Sequence, residues 1–244
     1  MIAIIPMKER SERVPNKNVR GFNGKPLFCW IIESLLEAKT IDSIVVNTDS
    51  PLIGDMVRER YPGVFVLYRP DYLKGDMVTG NALIKWTLSQ LKGEHFLYTH
   101  STNPLLKPET IDRAVELYLS NQDAYDSLFG VTKHQFRLYR ADGSPLNHNP
   151  ADLIRSQDLE PLYEDNSNLY IFSRESFEFT GNRIGNKPYM FEVPKSESID
   201  IDTEDDWKIA EAVAKCRDGG KMPRWLEIGP GYHGDRGCVN GART

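Results

Sequence analysis

Cysteine is scarce in this chain. Its 244 residues include only Cys29, Cys216 and Cys238, an odd and scattered set. No Cys-x-x-Cys pair or Cys/His spacing occurs, so neither a zinc site nor a disulfide framework is expected. Cys29 falls in an apolar helical pattern and is expected in the core. This usage suits a reducing compartment, and a cytoplasmic location is expected. Long apolar runs are also lacking. No stretch reaches the roughly 18 residues of a membrane span, and apolar residues begin at Ile2 without a charged lead, so neither a span nor a signal peptide is expected. An excess of positive charge is missing too: the formal net charge is −5, which argues against nucleic-acid binding. The motifs G-x-x-x-x-G-K-[ST], G-x-S-x-G and H-E-x-x-H are absent, which removes P-loop, serine-hydrolase and zinc-protease chemistry. Gly229, Gly231 and Gly234 match the dinucleotide glycine fingerprint by letter only. No strand–helix unit encloses them, so the match is rejected.

The rest of the composition is ordinary for a globular protein, 40% hydrophobic and 27% charged. Through the first half, strand-like and helix-like patterns alternate. Strands are expected at 2–5, 43–47, 64–68, 95–99 and 126–132, and helices at 26–39, from 51 to about 61, at 79–91 and at 108–120. This rhythm predicts an α/β fold of three layers, a mostly parallel sheet with helices on both faces. It breaks over 133–168, a stretch rich in Asn, Asp, Pro and Arg. That stretch still carries apolar anchors such as Leu138, Tyr139, Leu153 and Ile154, so it is expected to be an ordered insertion. Strands at 169–172 and 189–193 and a helix at 203–215 follow. The expected organisation is one domain over 1–218 with that insertion, then an irregular tail over 219–244.

Three clusters carry chemistry. After the first strand comes a basic loop with Lys8, Arg10, Arg13 and Lys17, placed where open α/β sheets bind ligands. Lys and Arg there suit phosphate oxygens, the first as point charges and the second as forks. The alternative is a solvated loop, accepted for Glu9 and Glu12 and extending to Arg13. Later, Ser198-Ile199-Asp200-Ile201-Asp202-Thr203 alternates isoleucine with aspartate, so Asp200 and Asp202 point the same way. Adjacent carboxylates repel unless a cation lies between them, and oxygen ligands of this kind suit Mg²⁺. Thr203 with Asp206 resembles a capping box that fixes the pair ahead of a helix, and Glu204 and Asp205 read as its dipole-stabilised first turn. The third cluster, Thr99-His100-Ser101-Thr102-Asn103-Pro104, also ends a buried strand; ligand contacts and an Asn-Pro turn both fit it. Asp76 and Asn47-Thr48-Asp49 end further strands, as ligand groups or as turns and caps.

Taken together these segments resemble the acylneuraminate cytidylyltransferase family, which includes the synthetases for CMP-activated pseudaminic and legionaminic acids. The motifs, in the family's order, are 11–18 (Ser-Glu-Arg-Val-Pro-Asn-Lys-Asn), Asn47-Thr48-Asp49, Arg69-Pro70 with Asp76, Thr102-Asn103-Pro104-Leu105, Asn166-Ser167-Asn168-Leu169-Tyr170 and 198–203. The resemblance implies transfer of CMP from CTP to an acidic 2-keto sugar with release of pyrophosphate. It implies that Lys17 contacts the triphosphate and Asn18 the nucleotide, with Ser11, Asp76 and Thr102 beside it. Lys8 or Arg10 would take the place of a family arginine, and Asp200 and Asp202 would hold Mg²⁺. The sugar would meet Arg155 near its carboxylate, with Gln157 and Asn166, and also His100 and Asn103, where sialic-acid enzymes usually carry Gln and Ser. A homodimer is implied, with each insertion reaching toward its partner's site. CMP-3-deoxy-octulosonate synthesis, another nucleotide-sugar pyrophosphorylase activity, or non-catalytic nucleotide-sugar binding are the alternatives.

Overall fold

In the computed structural model, which describes residues 1–75 and 77–217, the first strand β1 (Ile2–Met7) divides its side chains between two cores. Ala3, Ile5 and Met7 enter one and Ile4 the other. Side chains alternate along a strand, so a strand buried on both faces needs helices on both.

Those layers come from the elements that follow. A short hairpin, β2 (Gly21–Phe22) and β3 (Lys25–Pro26), leads into α1 (Leu27–Glu37), β4 (Ser43–Thr48), α2 (Pro51–Arg60) and β5 (Phe65–Tyr68). Next come α3 (Gly80–Gln90), β6 (His95–Thr99), α4 (Pro108–Ser120) and β7 (Ser127–His134). The series ends with β8 (Leu162–Ser173), α5 (Arg174–Thr180), β9 (Pro188–Glu192) and α6 (Glu204–Arg217). The seven-stranded sheet runs β5-β4-β1-β6-β8-β7-β9. β5, β4, β1 and β6 are mutually parallel, β8 is antiparallel to both its neighbours, and β7 and β9 are parallel. Helices α1, α2 and α4 cover the Ala3 face through Phe28, Ile31, Ile53, Val57, Ile111 and Val115. Ile84 and Leu88 of α3 and Phe177 of α5 cover the other. A third cluster packs Trp207 and Ala210 of α6 on Val14, Phe22, Leu27 and Ile201, which holds α6 against the loop after β1.

The expected α/β sheet is therefore present, with three departures. The strand expected at 169–172 is the end of a twelve-residue β8. Its first half pairs with the end of β7, from Val131↔Asp165 to His134↔Leu162, so only 135–161 of the expected insertion leaves the sheet. Backbone pairing makes that extension, and polar Glu164 and Asp165 hide it from apolar periodicity. The β2–β3 hairpin turns on Asn23 and Gly24, with φ of 46° and 88°, the Asn-Gly pattern that a two-residue turn of this kind requires. Helix α5, also unforeseen, starts at Ser173, whose Oγ accepts the Ser176 amide at 3.0 Å, and stops at Gly181 with φ 68°. The tail over 219–244, with Cys238 and the rejected glycine match, lies outside the described residues.

Leu97 sits fully buried mid-strand in β6. Leu97→Ala should lower the unfolding free energy by about 2–5 kcal/mol. The same change at Leu52, more than half exposed on α2, should move it by under about 0.5 kcal/mol. Urea denaturation curves of both variants check this contrast.

Candidate active site

A cavity of about 370 Å³ opens at the carboxyl ends of β1 and β6 and takes residues from the basic loop, the end of β6 and the Asp200–Asp202 segment. The basic loop is not left to solvent. Asn16 takes a left-handed backbone with φ 54°, tolerable for Asn, and its carbonyl accepts the amides of Val19 and Arg20 at 3.0 Å. That turn sends Lys17 and Asn18 inward, and both are over nine-tenths buried. Asn18 Nδ2 donates to the Lys8 carbonyl at 2.7 Å, and its Oδ1 accepts the Ser101 hydroxyl at 2.5 Å. The loop is thereby tied to the end of β6.

Lys17 reaches residues 184 and 185 positions later in the chain, Ile201 and Asp202. Its Nζ donates to the Ile201 carbonyl at 2.5 Å and lies 3.6 Å from Asp202 Oδ1. Arg13 Nη2 lies 2.8 Å from the same oxygen. Burial pulls the Lys17 pKa below its usual value, while Asp202 and Asp200 resist that pull. Asp200 moves the other way. Burial raises its pKa, with a Thr102 hydrogen bond and the Lys17 charge opposing. Its Oδ1 is buried with no hydrogen-bond partner. The segment is fixed from both sides: the Ile201 amide donates to the Thr102 carbonyl at 2.9 Å, and Ile201 itself is wholly buried. Beyond it the capping box forms, with Asp206 Oδ2 accepting the Thr203 amide at 2.8 Å and Thr203 Oγ1 accepting the Asp206 amide at 3.2 Å.

Arg69, just after β5, is a buried cation for which the sequence reading assigned no role. Its Nε donates to Asn47 Oδ1 at 2.6 Å, and its Nη2 donates to the carbonyls of Met7 at 3.2 Å and Asn47 at 3.0 Å. Its Nη1 lies 3.8 Å from Asp49. Asp49 does not cap α2, since Ser50 does, with its Oγ accepting the Ile53 amide at 3.4 Å. Instead Asp49 Oδ1 accepts the Glu9 amide at 2.8 Å and anchors the basic loop. Burial lowers the Arg69 pKa, and Asp49 resists the shift.

The remaining wall is aromatic. The His100 ring lies edge-on to Tyr98 and to Tyr170, with centroids 5.1 Å and 6.4 Å away. Its Nδ1 is 2.9 Å from the Ser167 carbonyl.

The cavity thus collects Lys8, Ser11, Lys17, Asn18, His100, Thr102 and Asp202 from the sequence reading, with half-buried Asp200 hydrogen-bonded to Thr102. Ser101 of the third cluster lines it as well, and so do Glu12 and Arg13, for which a solvated loop was the alternative; Arg69 and Tyr98 are added to these. Arg10 is exposed and does not line it. Asn103 is fully buried, and neither amide atom of its side chain has a partner. Asn166 is buried in the β8 bulge, donating to Thr132 Oγ1 at 3.1 Å. Arg155 and Gln157 stand on an exposed turn of the 135–161 excursion, where Arg155 pairs with Asp158 at 2.7 Å. Asp76 lies outside the described residues. In the sequence Arg69 stood only within the Arg69-Pro70 motif, after a partly exposed edge strand, and no local pattern gave it a role.

The family model for cytidylyltransferases matches residues 2–217. The chain belongs to that family. It is 32% identical over 213 residues to an N-acylneuraminate cytidylyltransferase of Streptococcus agalactiae serotype V, covering 84% of this chain and 51% of that protein. The chain therefore spans about half the length of that relative. A CMP-N,N'-diacetyllegionaminic acid synthase of Legionella pneumophila is 31% identical over 231 residues, covering 87% of this chain and 95% of that one. Among solved structures, a CMP:2-keto-3-deoxy-manno-octonic acid synthetase complexed with CTP superposes with a TM-score of 0.66 at 13% identity. That match covers 88% of this chain and 98% of the other. At that identity the likeness is one of fold.

Arg69→Ala would leave Asn47 Oδ1 and two strand-end carbonyls without their donor. The unfolding free energy should fall by about 2–4 kcal/mol. Arg69→Lys should restore only part of it, because an ammonium cannot reproduce the guanidinium fork. Calorimetric melting of the two variants checks this.

Proposed function

We propose that this cytidylyltransferase-family chain activates an acidic 2-keto sugar of the nonulosonic type with CTP, giving the CMP-sugar and pyrophosphate. The observation that carries the proposal is the convergence, in one cavity, of Lys17 and Arg13 with the carboxylate of Asp202 and, just behind it, that of Asp200. In the reaction an anomeric hydroxyl of the sugar attacks the α-phosphorus and gives up its proton to water, the bond from that phosphorus to the bridging oxygen breaks, and pyrophosphate leaves with the bonding electrons. Both reactants are anions. The obstacle is therefore charge, and fixed cations at the developing negative oxygens are the remedy. Lys17 is held in place by the Ile201 carbonyl, so its ammonium needs little reorganisation to meet a phosphate. Arg13, two-thirds exposed, can exchange the Asp202 carboxylate for a phosphate oxygen. Asn18 and Ser101 fix each other and shape the floor on which the nucleotide would rest.

The donor set fits Mg²⁺. Its two candidate protein ligands are carboxylates, and Asp200 holds a buried oxygen without a hydrogen-bond partner. Mg²⁺ keeps several waters and takes substrate phosphates on its remaining positions, so two protein carboxylates suffice. Asp200 and Asp202 would hold it, and when bound it would neutralise triphosphate charge. A homodimer is part of the same reading. The excursion over 135–161 exposes Tyr139 and Leu153 at 57% and 75%, more apolar surface than a free arm would favour. Arg155 on that arm would then serve the partner's sugar site. A cytoplasmic location is proposed with it, supported by the scarcity of cysteine and by the lack, among the described residues, of any helix long and apolar enough to cross a membrane.

Pyrophosphate release should appear with CTP, and not with ATP, GTP or UTP, when an N-acylneuraminate, pseudaminic acid, N,N'-diacetyllegionaminic acid or 3-deoxy-octulosonic acid is supplied in turn. Silence with CTP across all four acids overturns the proposal, and turnover of the last alone moves it to the octulosonate reading. Asp202→Asn should reduce turnover by at least about a hundredfold while leaving the melting temperature within a few degrees. Near-normal turnover in Mg²⁺ would remove Asp202 from the metal site.

A further inference from the structure

The bulge in β8 decides which way the His100 ring offers its proton. Register between β7 and β8 shifts at Phe129 and Val131, opposite the segment from Asp165 to Asn168. Ser167 there adopts φ 56°, a left-handed conformation unusual for serine. It is held by a closed set of bonds. Asp165 Oδ1 accepts the Ser167 amide at 3.1 Å and the Tyr170 hydroxyl at 2.7 Å, and Asn166 Oδ1 accepts the Asn168 amide at 3.1 Å. Arg183 lies 3.8 Å over the Tyr170 ring and donates to its hydroxyl at 3.0 Å. The result is a Ser167 carbonyl aimed at His100 Nδ1 from 2.9 Å.

A carbonyl oxygen can only accept, so Nδ1 must carry the proton. In the neutral ring Nε2 then bears the lone pair. Nε2 makes no hydrogen bond among the described residues. It is not among the buried polar atoms left without a partner, and His100 lines the cavity, so this nitrogen stays accessible there.

Building on the proposed sugar-activating function, we propose that His100 reads the sugar as a fixed hydrogen-bond acceptor. The Ser167 carbonyl locks the proton on Nδ1, and Nε2 accepts from an N–H or O–H of the sugar. Glutamine or asparagine at this position could present either a donor or an acceptor by rotating its amide; a locked imidazole presents only the acceptor. Selection therefore falls on acids that place an amide N–H or a hydroxyl hydrogen at this wall, against those that place a carbonyl or ether oxygen there. Burial, with Arg183 nearby, pushes the His100 pKa down to about 4. Its lone pair is accordingly a weak base, suited to accepting a hydrogen bond and poorly suited to taking a proton from an alcohol. Ser167 acts through the ring as a positioning residue.

Two measurements on the full chain test this. Nitrogen NMR of the imidazole-labelled protein at pH 7, with the His100 signals assigned by their loss in His100→Gln, should show the proton on Nδ1 and a bare Nε2. A proton on Nε2, or a charged ring, overturns the inference. In steady-state assays with N-acylneuraminate, pseudaminic acid and N,N'-diacetyllegionaminic acid, His100→Ala should raise KM for the best acid roughly tenfold. KM for CTP should be unchanged, while the melting temperature should fall by a few degrees because the Ser167 carbonyl loses its donor. His100→Gln, which retains an acceptor, should recover most of that loss and narrow the differences among the three acids. Equal effects on CTP and acid, or none on either, overturn the inference. Absence of turnover by the unaltered chain would defeat the proposed function instead, and the NMR result would still report the state of the ring.

Discussion

Lys17 ties the two ends of the described chain together, and the site depends on that tie. Its ammonium leaves water to sit between a carbonyl of residue 201 and the carboxylate of Asp202. Burying a lone ammonium would cost several kcal/mol. The burial is tolerable only because the Asp200–Asp202 segment arrives at the same place. The dependence runs in both directions, since Asp200 is half-buried, with its Oδ1 buried and unpaired, and needs positive charge nearby. Each half of the site is uncomfortable without the other. The packing of α6 on Val14, Phe22 and Leu27 supplies the apolar energy that keeps them together.

This division of labour explains why the region stays partly unsatisfied. A fully compensated ion cluster would be more stable and less reactive, because an incoming triphosphate would have to displace stronger bonds. Here Arg13 and Lys17 share one carboxylate oxygen, while the neighbouring carboxyl is left without a matching donor on Oδ1. Such imbalance inside a rigid frame would suit the polyanion and counter-ion of the proposed reaction. The frame is made rigid by Arg69, whose guanidinium joins the ends of β1 and β4 and orients the carboxylate that anchors the basic loop.

How much of this could be read in the sequence varies from element to element, for physical reasons. The first strand and its loop were legible because a buried apolar run emptying into cations is locally unusual. Asp200 and Asp202 were legible because the intervening isoleucine fixes their direction, and Thr203 with Asp206 announced the helix behind them. Arg69 was not, because its role arises from the parallel register of β4 with β5, which brings Thr48 opposite Tyr68 and so places the next residue over Asn47. No local pattern encodes a register between strands about twenty residues apart. Arg155 and Gln157 follow only from the family resemblance, and both lie on the exposed excursion, away from the cavity. The first half of β8 was missed because its stability comes from backbone pairing, which leaves no apolar signature. The Asn23-Gly24 turn, by contrast, was present in the sequence and simply went unused.

The two directions of strand in the sheet also separate two tasks. Cations and the hydroxyl and amide groups of the floor come from the loops after β1 and β6, parallel neighbours whose carboxyl ends share one edge. The ring that faces them is set by β8, which runs antiparallel beside β6 and carries the bulge at Ser167. An antiparallel neighbour brings the start of its strand, not its end, to the ligand edge. A bulge there can therefore re-aim one carbonyl without disturbing the phosphate-facing loops. Changes in β8 can alter the polarity presented by His100 while Lys17, Arg13 and Asp202 keep their geometry. On the proposed function, a fold built this way would keep the charge chemistry constant while the wall that meets the acid varies.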